Sequence, residues 1–184
     1  MNQPESSAIS TEILTSPPED LACLVQLIND VYDVAEDGMW KQKGVRTNPE
    51  ELRDLIEQKR LIVARSDGDI IGCVKVDRAE EVGEFGMLVV DPNIRSQGVG
   101  RKLVVAAEDW AIKQGYYEMQ LELLTPRTWK QPSKEFIRAW YDRLGYIPQR
   151  TEPFEKDYAH FAPMLATECD FTIWRKPLKS SLTL

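Results

Sequence analysis

One stretch decides the fold of this chain. Residues 89–103 read Val89-Val90-Asp91-Pro92-Asn93-Ile94-Arg95-Ser96-Gln97-Gly98-Val99-Gly100-Arg101-Lys102-Leu103. This pattern predicts an apolar strand, a break at Asp91-Pro92, a polar loop with two glycines, and a helix that begins at about Gly100. Glycines at the start of a helix let the backbone approach a bulky anion, and free amides there point toward it. Basic residues in the first turn oppose the helix dipole, which favours an anionic ligand. A plain strand-to-helix turn with solvated basic residues is the alternative.

The spacing of this loop excludes two common phosphate-binding motifs. A Walker loop ends in Gly-Lys-Ser/Thr, whereas Arg101 follows Gly100. A dinucleotide fingerprint requires a third glycine where Leu103 stands. The pattern that fits is Arg/Gln-x-x-Gly-x-Gly/Ala, with Arg95 and Gly98 at its first two defined positions.

The composition is that of an acidic globular chain. Its 184 residues suit one domain, and the fractions of hydrophobic (42%) and charged (29%) residues are ordinary for a soluble protein. A net charge of −7 makes nucleic acid a poor partner and weakly favours a cationic co-substrate. Because no apolar run approaches the roughly 20 residues of a membrane span, and because residues 1–16 lack a secretory apolar core, we expect a cytoplasmic protein.

The cysteines and the histidine give little support to a metal site. Cys23, Cys73 and Cys169 are odd in number, far apart, and in no metal or redox spacing. Cys23 and Cys73 lie in apolar runs, so we expect both to be buried. His160 is the single histidine, and we predict no metal.

Helices are predicted from apolar periodicity and from start signals. One helix is expected over 19–34, and a second over 49–59 with Asn48 as its cap and Pro49 in its first turn. A third runs from about Gly100 to near residue 115. A fourth is capped by Ser133, runs through 144 and ends at Gly145.

Strands are predicted from alternation and from turn residues. Residues 9–14 can form a short first strand, and further strands are expected over 61–65, 70–76, 82–90, 117–124, 146–150 and 171–175. Gly83 and Gly86 within the strand 82–90 indicate a bulge or a close backbone approach. A long excursion over 152–170 separates the last two strands.

The loop motif, together with the strand and Asp91-Pro92 before it, resembles the acetyl-CoA-binding motif of the GNAT superfamily of N-acetyltransferases. The order of the predicted elements extends this resemblance to almost the whole chain. It implies an α/β fold in a single domain over 1–184, with a mixed central sheet of about six to seven strands flanked by about four helices. Residues 1–16 are expected to be partly irregular.

The resemblance also implies which residues contact the cofactor. Backbone amides from Gln97 to Arg101 would hold the pyrophosphate. Leu88 and Val90 would pair through their backbone with the pantetheine arm, which in this family enters where the central strand separates from its neighbour, here 117–124. The implied cofactor-binding residues are Leu88, Val89, Val90, Arg95, Ser96, Gln97, Gly98, Val99, Gly100 and Arg101. Leu88 and Val90 can also be core residues, since only their backbones would be used.

Transfer to an amine requires a base that removes a proton from the ammonium group. Glu84 is our candidate, because some GNAT enzymes place a catalytic glutamate at this distance before the loop. With period two, Glu84 is expected to share a face with Gly86, Leu88 and Val90, where burial would raise its pKa. An edge-exposed glutamate is the alternative.

The departing thiolate needs a proton. Residues 140–146 resemble the family's Tyr-x-x-x-Gly-Phe helix end, which gives Tyr141 the role of general acid. Without the family, Tyr141 is a packed core aromatic. The family often has asparagine seven residues earlier, where this chain has Lys134. A lysine there could reach a phosphate instead.

The sequence does not decide which residues recognise the acceptor. In this family the loop after the first helix and the last hairpin, here 32–40 and 154–170, close over the acceptor. One hypothesis is a cation held by carboxylates and by cation–π contact, from Asp33, Glu36, Asp37 and Trp40. The alternative is a solvated acidic loop with a packed tryptophan, which has no role in binding. A third hypothesis is a carboxylate-bearing acceptor, favoured by Arg127, Trp129 and Lys130.

The resulting hypothesis is an N-acetyltransferase that moves the acetyl group of acetyl-CoA directly to a primary amine in a ternary complex, without a metal. A small-molecule amine is the preferred acceptor and a protein or peptide amine the second. Nucleic acid and membranes are not expected partners, and a homodimer is possible. A CoA-binding regulatory module that has lost turnover is the rival.

Overall fold

A computed structural model describes residues 8–43, 46–94 and 97–178. In chain order the elements are β1 (Ser10–Ile13), α1 (Leu21–Ala35), α2 (Pro49–Glu57), β2 (Leu61–Ser66), β3 (Asp69–Ala79), β4 (Val82–Val90), α3 (Val99–Lys113), β5 (Glu118–Pro126), α4 (Pro132–Arg143), β6 (Ile147–Pro153), α5 (Phe154–Asp157) and β7 (Cys169–Pro177). The seven strands form one sheet in the order β1-β2-β3-β4-β5-β7-β6. Only β4 and β5 pair in parallel. The predicted α/β fold with a mixed central sheet is confirmed.

Two apolar layers cover the two faces of the sheet. Side chains of α3 and α4 pack on one face, in a cluster that includes Phe85, Leu103 and Tyr141. Side chains of α1 and α2 pack on the other face, over β2, β3 and part of β4, in a cluster that includes Leu24 and Leu52. Burial of these apolar side chains is the main term that stabilises the fold.

A β-bulge interrupts the central strand β4. Cys73 lies opposite Val89 whereas Lys75 lies opposite Gly86, so β4 has one residue more than β3 between these pairs. Met87 in the bulge has a φ of 49°, in the left-handed region. The predicted bulge is therefore present, immediately after Gly86.

The bulge changes which side chains of β4 share a face. Phe85, Leu88 and Val90 contact the cluster beneath α3 and α4, whereas Met87 belongs to the cluster beneath α1 and α2. Glu84, next to Phe85, therefore lies on the α1–α2 side of the sheet. The prediction that Glu84 shares a face with Leu88 and Val90 is wrong, because the extra residue breaks the alternation.

The strands β4 and β5 separate after a short contact. They pair at two positions only, Gly83 with Met119 and Glu84 with Gln120. A Cβ atom at Gly83 would lie 2.7 Å from the Cβ of Ala111 on α3. This glycine therefore permits the close backbone approach that the sequence predicts. Beyond Glu84 the bulge turns β4 away from β5, and a gap opens in the middle of the sheet.

The helix ends follow the predicted signals with one exception. Asn48 caps α2 by accepting a 2.9 Å hydrogen bond from the amide of Glu51. The cap of α4 is Gln131, not Ser133: the Oε1 atom of Gln131 accepts from the amides of Ser133 and Lys134. Pro132 then occupies the first helical position, where its missing N–H costs nothing.

The connection between β6 and β7 is shorter than predicted and is partly helical. It spans residues 154–168 rather than 152–170, and contains α5 and a 3₁₀ turn at Ala162–Met164. Hydrogen bonds tie it to the segment after α1: the amide of Lys41 donates to Met164 at 3.0 Å, and that of Ala166 donates to Met39 at 2.9 Å. The two segments that the resemblance assigns to the acceptor site thus hold each other.

Two of the three cysteines differ in exposure. Cys73 is buried as predicted, but Cys23 is exposed, because it lies on the outer side of α1. Within residues 8–43, 46–94 and 97–178, no group of His, Cys, Asp or Glu side chains could hold a metal ion. Over the same residues, no helix is long and apolar enough to cross a membrane.

Candidate active site

The first turn of α3 presents backbone amides that have no partner among the described residues. Gly98 begins the helix with a φ of 77°, and no described side chain caps it. The amide of Lys102 bonds to the carbonyl of Gly98 at 3.0 Å, which leaves the earlier amides of the helix without an intrahelical acceptor. A Cβ atom at Gly98 would meet nothing within 4 Å. The turn therefore offers donors to an anion in open space, although the predicted contacts Arg95 and Ser96 lie outside the described residues.

Gly100 has a different role from Gly98. A Cβ atom there would lie 3.5 Å from Trp140 and 3.7 Å from Val90, at ordinary contact distances. Alanine would therefore fit at this position. Trp140, half-buried on α4, was not predicted at the site, and it packs against the start of α3.

The gap in the sheet exposes one edge of β4. Val89 and Val90 still pair with β3 on one side, whereas beyond Glu84 the described residues of β4 and β5 form no ladder. Backbone groups on that edge, which includes Leu88, can pair with an extended amide-bearing chain. The open edge and the free α3 amides together fit the pantetheine arm and pyrophosphate of coenzyme A.

Glu84 lies at the last paired position before the gap. Its Oε2 atom accepts a 2.9 Å hydrogen bond from Nε2 of Gln120. The Oε1 atom of Gln120 accepts from Nε of Arg175 at 3.0 Å, which fixes the orientation of the amide. Burial raises the pKa of the Glu84 carboxyl above its usual range, and the bond from Gln120 offsets part of that increase. This is the partly desolvated carboxylate that the sequence predicts.

A space with polar walls lies beside Glu84 on the α1–α2 side. Gly86 is exposed, although it lies in the central strand, and a Cβ atom there would meet nothing within 4 Å. Lys75 lies opposite Gly86 on β3. On β5, Glu122 follows two residues after Gln120 on the same face and accepts a 2.7 Å hydrogen bond from Tyr158. We call this space the Gly86 cleft and take it as the candidate acceptor site.

Aromatic rings cover β5 and β7 on the same side. Phe154 stacks on Tyr158 with centroids 5.2 Å apart, and Phe171 lies 4.9 Å from Tyr158. Trp40 meets Phe154 edge-on at 5.9 Å. These rings belong to the two segments that the resemblance assigns to the acceptor, and they hold Tyr158 over Glu122.

Tyr141 is packed among aromatic rings on the α3–α4 side of the sheet. It is 6% exposed, and the rings of Phe85, Trp140 and Tyr146 surround it. Its hydroxyl has no hydrogen-bond partner in the described part of the chain. Burial raises the pKa of Tyr141, and the Tyr32 hydroxyl of α1 raises it further. The hydroxyl therefore stays protonated at neutral pH and lies within electrostatic reach of the opposite side of the sheet.

Lys134 is not placed to reach a phosphate. Its Nζ atom lies 2.6 Å from Oε1 of Glu36, and both side chains are about nine-tenths buried, with 9% and 10% exposed. Trp40 donates to the other carboxylate oxygen of Glu36 at 2.5 Å. A phosphate contact is therefore not supported, because the ammonium group is held inside a buried ion pair that joins the end of α1 to the start of α4.

The charged residues of the two acceptor hypotheses are mostly engaged elsewhere. Glu36 pairs with Lys134, and Asp37 lies 2.6 Å from Lys43. The Arg127 guanidinium contacts three carboxylates, those of Asp170 at 2.8 Å and of Glu155 and Glu168 at 3.4 Å. Neither the acidic loop as a cation site nor Arg127 as a carboxylate site is therefore supported. Lys130 pairs loosely with Glu135 at 3.5 Å, and Trp129 donates to Thr167.

A pocket of about 310 Å³ lies at the start of α4, away from the cleft. It is lined by Thr125, Pro126, Arg127, Thr128, Trp129, Lys130, Gln131, Lys134, Glu135 and Arg138. Because Arg127 and Lys134 are already paired, most of its charge is compensated within the protein.

Sequence reasoning missed several residues of the cleft. Lys75 is the single charged residue of the stretch 70–76, and that contrast could have identified it. Gln120 and Glu122 alternate with apolar residues along β5, which indicates a polar face there. Tyr158 had no local signal, since its position depends on the fold of the β6–β7 connection.

Comparisons with known proteins give a family and similar folds. Residues 25–146 match the family model described as Acetyltransferase (GNAT) family. The PaiA N-acetyltransferase of Thermoplasma acidophilum, solved with coenzyme A, is similar in fold with a TM-score of 0.69 and 18% identity, over 92% of this chain and 99% of that one. The ribosomal-protein-alanine N-acetyltransferase of Brucella melitensis gives 0.66 and 17%, over 92% and 99%.

A third similar structure is a longer protein. The N-acetylglutamate synthase of Neisseria gonorrhoeae, solved with coenzyme A and N-acetyl-glutamate, has a TM-score of 0.64 and 19% identity to this chain. The match covers 95% of this chain but spans only 36% of the synthase. At these identities the likeness establishes the fold alone.

Proposed function

This chain belongs to the GNAT acetyltransferase family, and on that premise we propose that it transfers the acetyl group of acetyl-CoA directly to a primary amine of a small molecule. One observation carries the proposal. Glu84, a half-buried carboxylate, lies at the last paired position of β4 and β5, where the gap and the Gly86 cleft meet. Cofactor and acceptor would thus approach each other beside a base.

The chain's own backbone would bind the cofactor. The amides from Gln97 to Arg101 donate to the pyrophosphate, and the positive end of the α3 dipole favours its charge. The open edge of β4 at Leu88 and Val90 pairs with the amides of the pantetheine arm. When bound, acetyl-CoA supplies an activated acyl group as a thioester.

Glu84 would act as the base. An amine reaches the site mainly as an ammonium ion, which has no free electron pair to attack with. The Glu84 carboxylate accepts one ammonium proton, and its raised pKa brings its basicity closer to that of the amine than an exposed carboxylate would be. Gln120 keeps the carboxylate oriented while the proton moves.

Tyr141 would protonate the leaving sulfur. Its hydroxyl has no acceptor among the described residues, so its proton is free to be donated into the gap. Burial keeps it protonated at neutral pH. Glu84 and Tyr141 lie on opposite sides of β4, which allows one to serve the acceptor and the other the cofactor.

Thiol release from acetyl-CoA tests the function. The panel contains small primary amines, amino acids and short peptides, with the purified 184-residue protein. Turnover of small amines or amino acids is the expected result. Turnover of peptides alone would replace the small-molecule acceptor with a peptide amine. Saturable binding of acetyl-CoA with no turnover of any acceptor would identify a regulatory module. Sedimentation of the same sample would test the homodimer.

A further inference from the structure

Lys75 is a cation at the edge of the Gly86 cleft that the proposed mechanism does not use. It lies on β3 directly opposite Gly86, and next to the pair formed by Asp77 and Glu84. The neighbours Val74 and Val76 pack beneath α3 and α4. Lys75 therefore points to the other face, the one that carries Glu84.

The ammonium group of Lys75 has little compensating charge of its own. Its ammonium nitrogen lies 3.8 Å from Oδ2 of Asp77, a loose contact, and the same carboxylate oxygen makes a much closer ion pair with Arg60. The Lys75 side chain is 33% exposed. Burial lowers the pKa of Lys75 and Arg60 lowers it further, whereas Glu84 acts in the opposite direction. The group is thus partly desolvated, with only loose pairing.

Three other cations around the acceptor segments are already held. Arg127 contacts three carboxylates, Lys134 lies in the buried pair with Glu36, and Arg175 donates to Gln120. Lys75 differs from them because open space over Gly86 lies beside it. A bound anion there would complete its coordination.

We propose that Lys75 binds a carboxylate carried by the acceptor, so that the substrate is an amine of the amino-acid type. The inference rests on the proposed function. Glu84 and Lys75 are diagonal neighbours on adjacent antiparallel strands, about 7–8 Å apart at their backbones. Their side chains rise from one face, so the ammonium group of one small molecule can meet Glu84 while its carboxylate meets Lys75. Gly86, which is exposed, is a neighbour of both: it lies opposite Lys75 and two residues after Glu84 on β4.

The test compares acceptors that differ only in the carboxylate. The pairs are phenylalanine with phenethylamine, leucine with isoamylamine, and lysine with cadaverine, and phenylalaninamide is the uncharged analogue. In the wild type, kcat/KM should favour the amino acid of each pair. Lys75→Met should raise KM for the amino acid roughly 10- to 100-fold and leave KM for the amine within about twofold. Lys75→Arg should restore part of the preference.

Controls separate this proposal from the function it rests on. Lys113→Met removes an exposed lysine at the end of α3 and should change neither KM. Calorimetric titration of phenylalanine, leucine and lysine into protein saturated with CoA gives a readout without turnover, and Lys75→Met should weaken their binding.

Turnover of the amines with no preference for a carboxylate, and no effect of Lys75→Met, would overturn the role of Lys75. The proposed acetyltransferase function would not be affected by that result. Absence of turnover with all acceptors would overturn the function. If the amino acids then bound equally to the wild type and to Lys75→Met, the proposed carboxylate site at Lys75 would be overturned as well.

Discussion

Gln120 donates a 2.9 Å hydrogen bond to Glu84 across the last pair of residues that joins β4 to β5. On its other side, the carbonyl oxygen of the Gln120 amide accepts from Arg175. A neutral amide thus stands between a carboxylate and a guanidinium that do not touch. This arrangement orients Glu84 without the strong depression of its pKa that a direct arginine contact would cause.

Gln120→Met should move the pH dependence of turnover. The hydrogen bond from Gln120 lowers the pKa of Glu84, so its loss should raise that pKa further. The acidic limb of the kcat/KM profile should shift to higher pH, while the plateau at high pH changes little. Gln114→Met, at the exposed end of α3, is the matched control. An unshifted limb in a folded Gln120→Met protein would mean that Glu84 does not set the profile.

Glu84→Gln should lower turnover at neutral pH by roughly 10²–10⁴-fold, because the proton acceptor is lost. The loss should shrink as pH rises, since more amine then arrives without its extra proton. The wild-type rate should rise with pH through the raised pKa of Glu84, and the variant should lack this limb. The measurement is the turnover rate of the wild type and of Glu84→Gln across the pH range.

The thermal stability of Glu84→Gln provides a second readout. A carboxyl with a raised folded-state pKa holds its proton longer in the native state than in the unfolded one. The free energy of unfolding therefore falls as pH rises from the unfolded pKa through the folded one. Glu84→Gln lacks this decrease, so its Tm at neutral pH should equal or exceed that of the wild type. A lower Tm with normal turnover would make Glu84 a structural residue.

Tyr141→Phe should reduce turnover about 10- to 1000-fold with little change in stability. The ring keeps its contacts with Phe85 and Tyr146, and the lost hydroxyl has no partner in the described structure. Tyr146→Phe is the opposite case, because that hydroxyl donates to Glu108 at 2.8 Å. It should cost about 1–3 kcal/mol of stability and leave turnover unchanged. Equal turnover in Tyr141→Phe and wild type would return Tyr141 to a packing role.

Gly98→Ala should weaken acetyl-CoA binding beyond its effect on folding. Gly98 has a φ of 77° and open space around it, and Gly115 at the other end of α3 has a φ of 87° and equally open space. Alanine should therefore cost about 1–2 kcal/mol of stability at either position. Only Gly98→Ala should lower the affinity for acetyl-CoA in calorimetric titration. Gly100→Ala should fold and bind almost normally, because its Cβ meets neighbours at ordinary distances.

Lys134→Met should destabilise the protein by about 3–5 kcal/mol, because Glu36 would be left as an uncompensated buried charge. Glu36→Gln should be destabilising for the same reason. The double variant should be less destabilised than the sum of the two single variants. Urea unfolding of all four proteins measures this coupling, and simple additivity would show that the 2.6 Å contact contributes little.

Local patterns were sufficient for most of the elements and for the glycine turn before α3. Alternation predicts the β2–β3 hairpin and β4, and Asn48 with Pro49 marks the start of α2. The loop glycines predict that α3 begins at about Gly100, and it begins at Val99. These features depend on residues within a few positions of one another, so the sequence alone determines them. The glycines of β4 also predict the bulge, because backbone strain is a local property.

The tertiary structure decided the faces and the charge pairs. One extra residue at Met87 moves Leu88 and Val90 to the side opposite Glu84. Regular alternation predicts the same side for all three residues, so the sequence pattern could not reveal this change. The partner of Lys134 lies 98 positions away at Glu36. An ion pair forms wherever the fold brings opposite charges together and excludes water. The spacing of charged residues in the sequence therefore does not reveal which of them are paired. Which cation remains beside the cleft was therefore visible only in three dimensions.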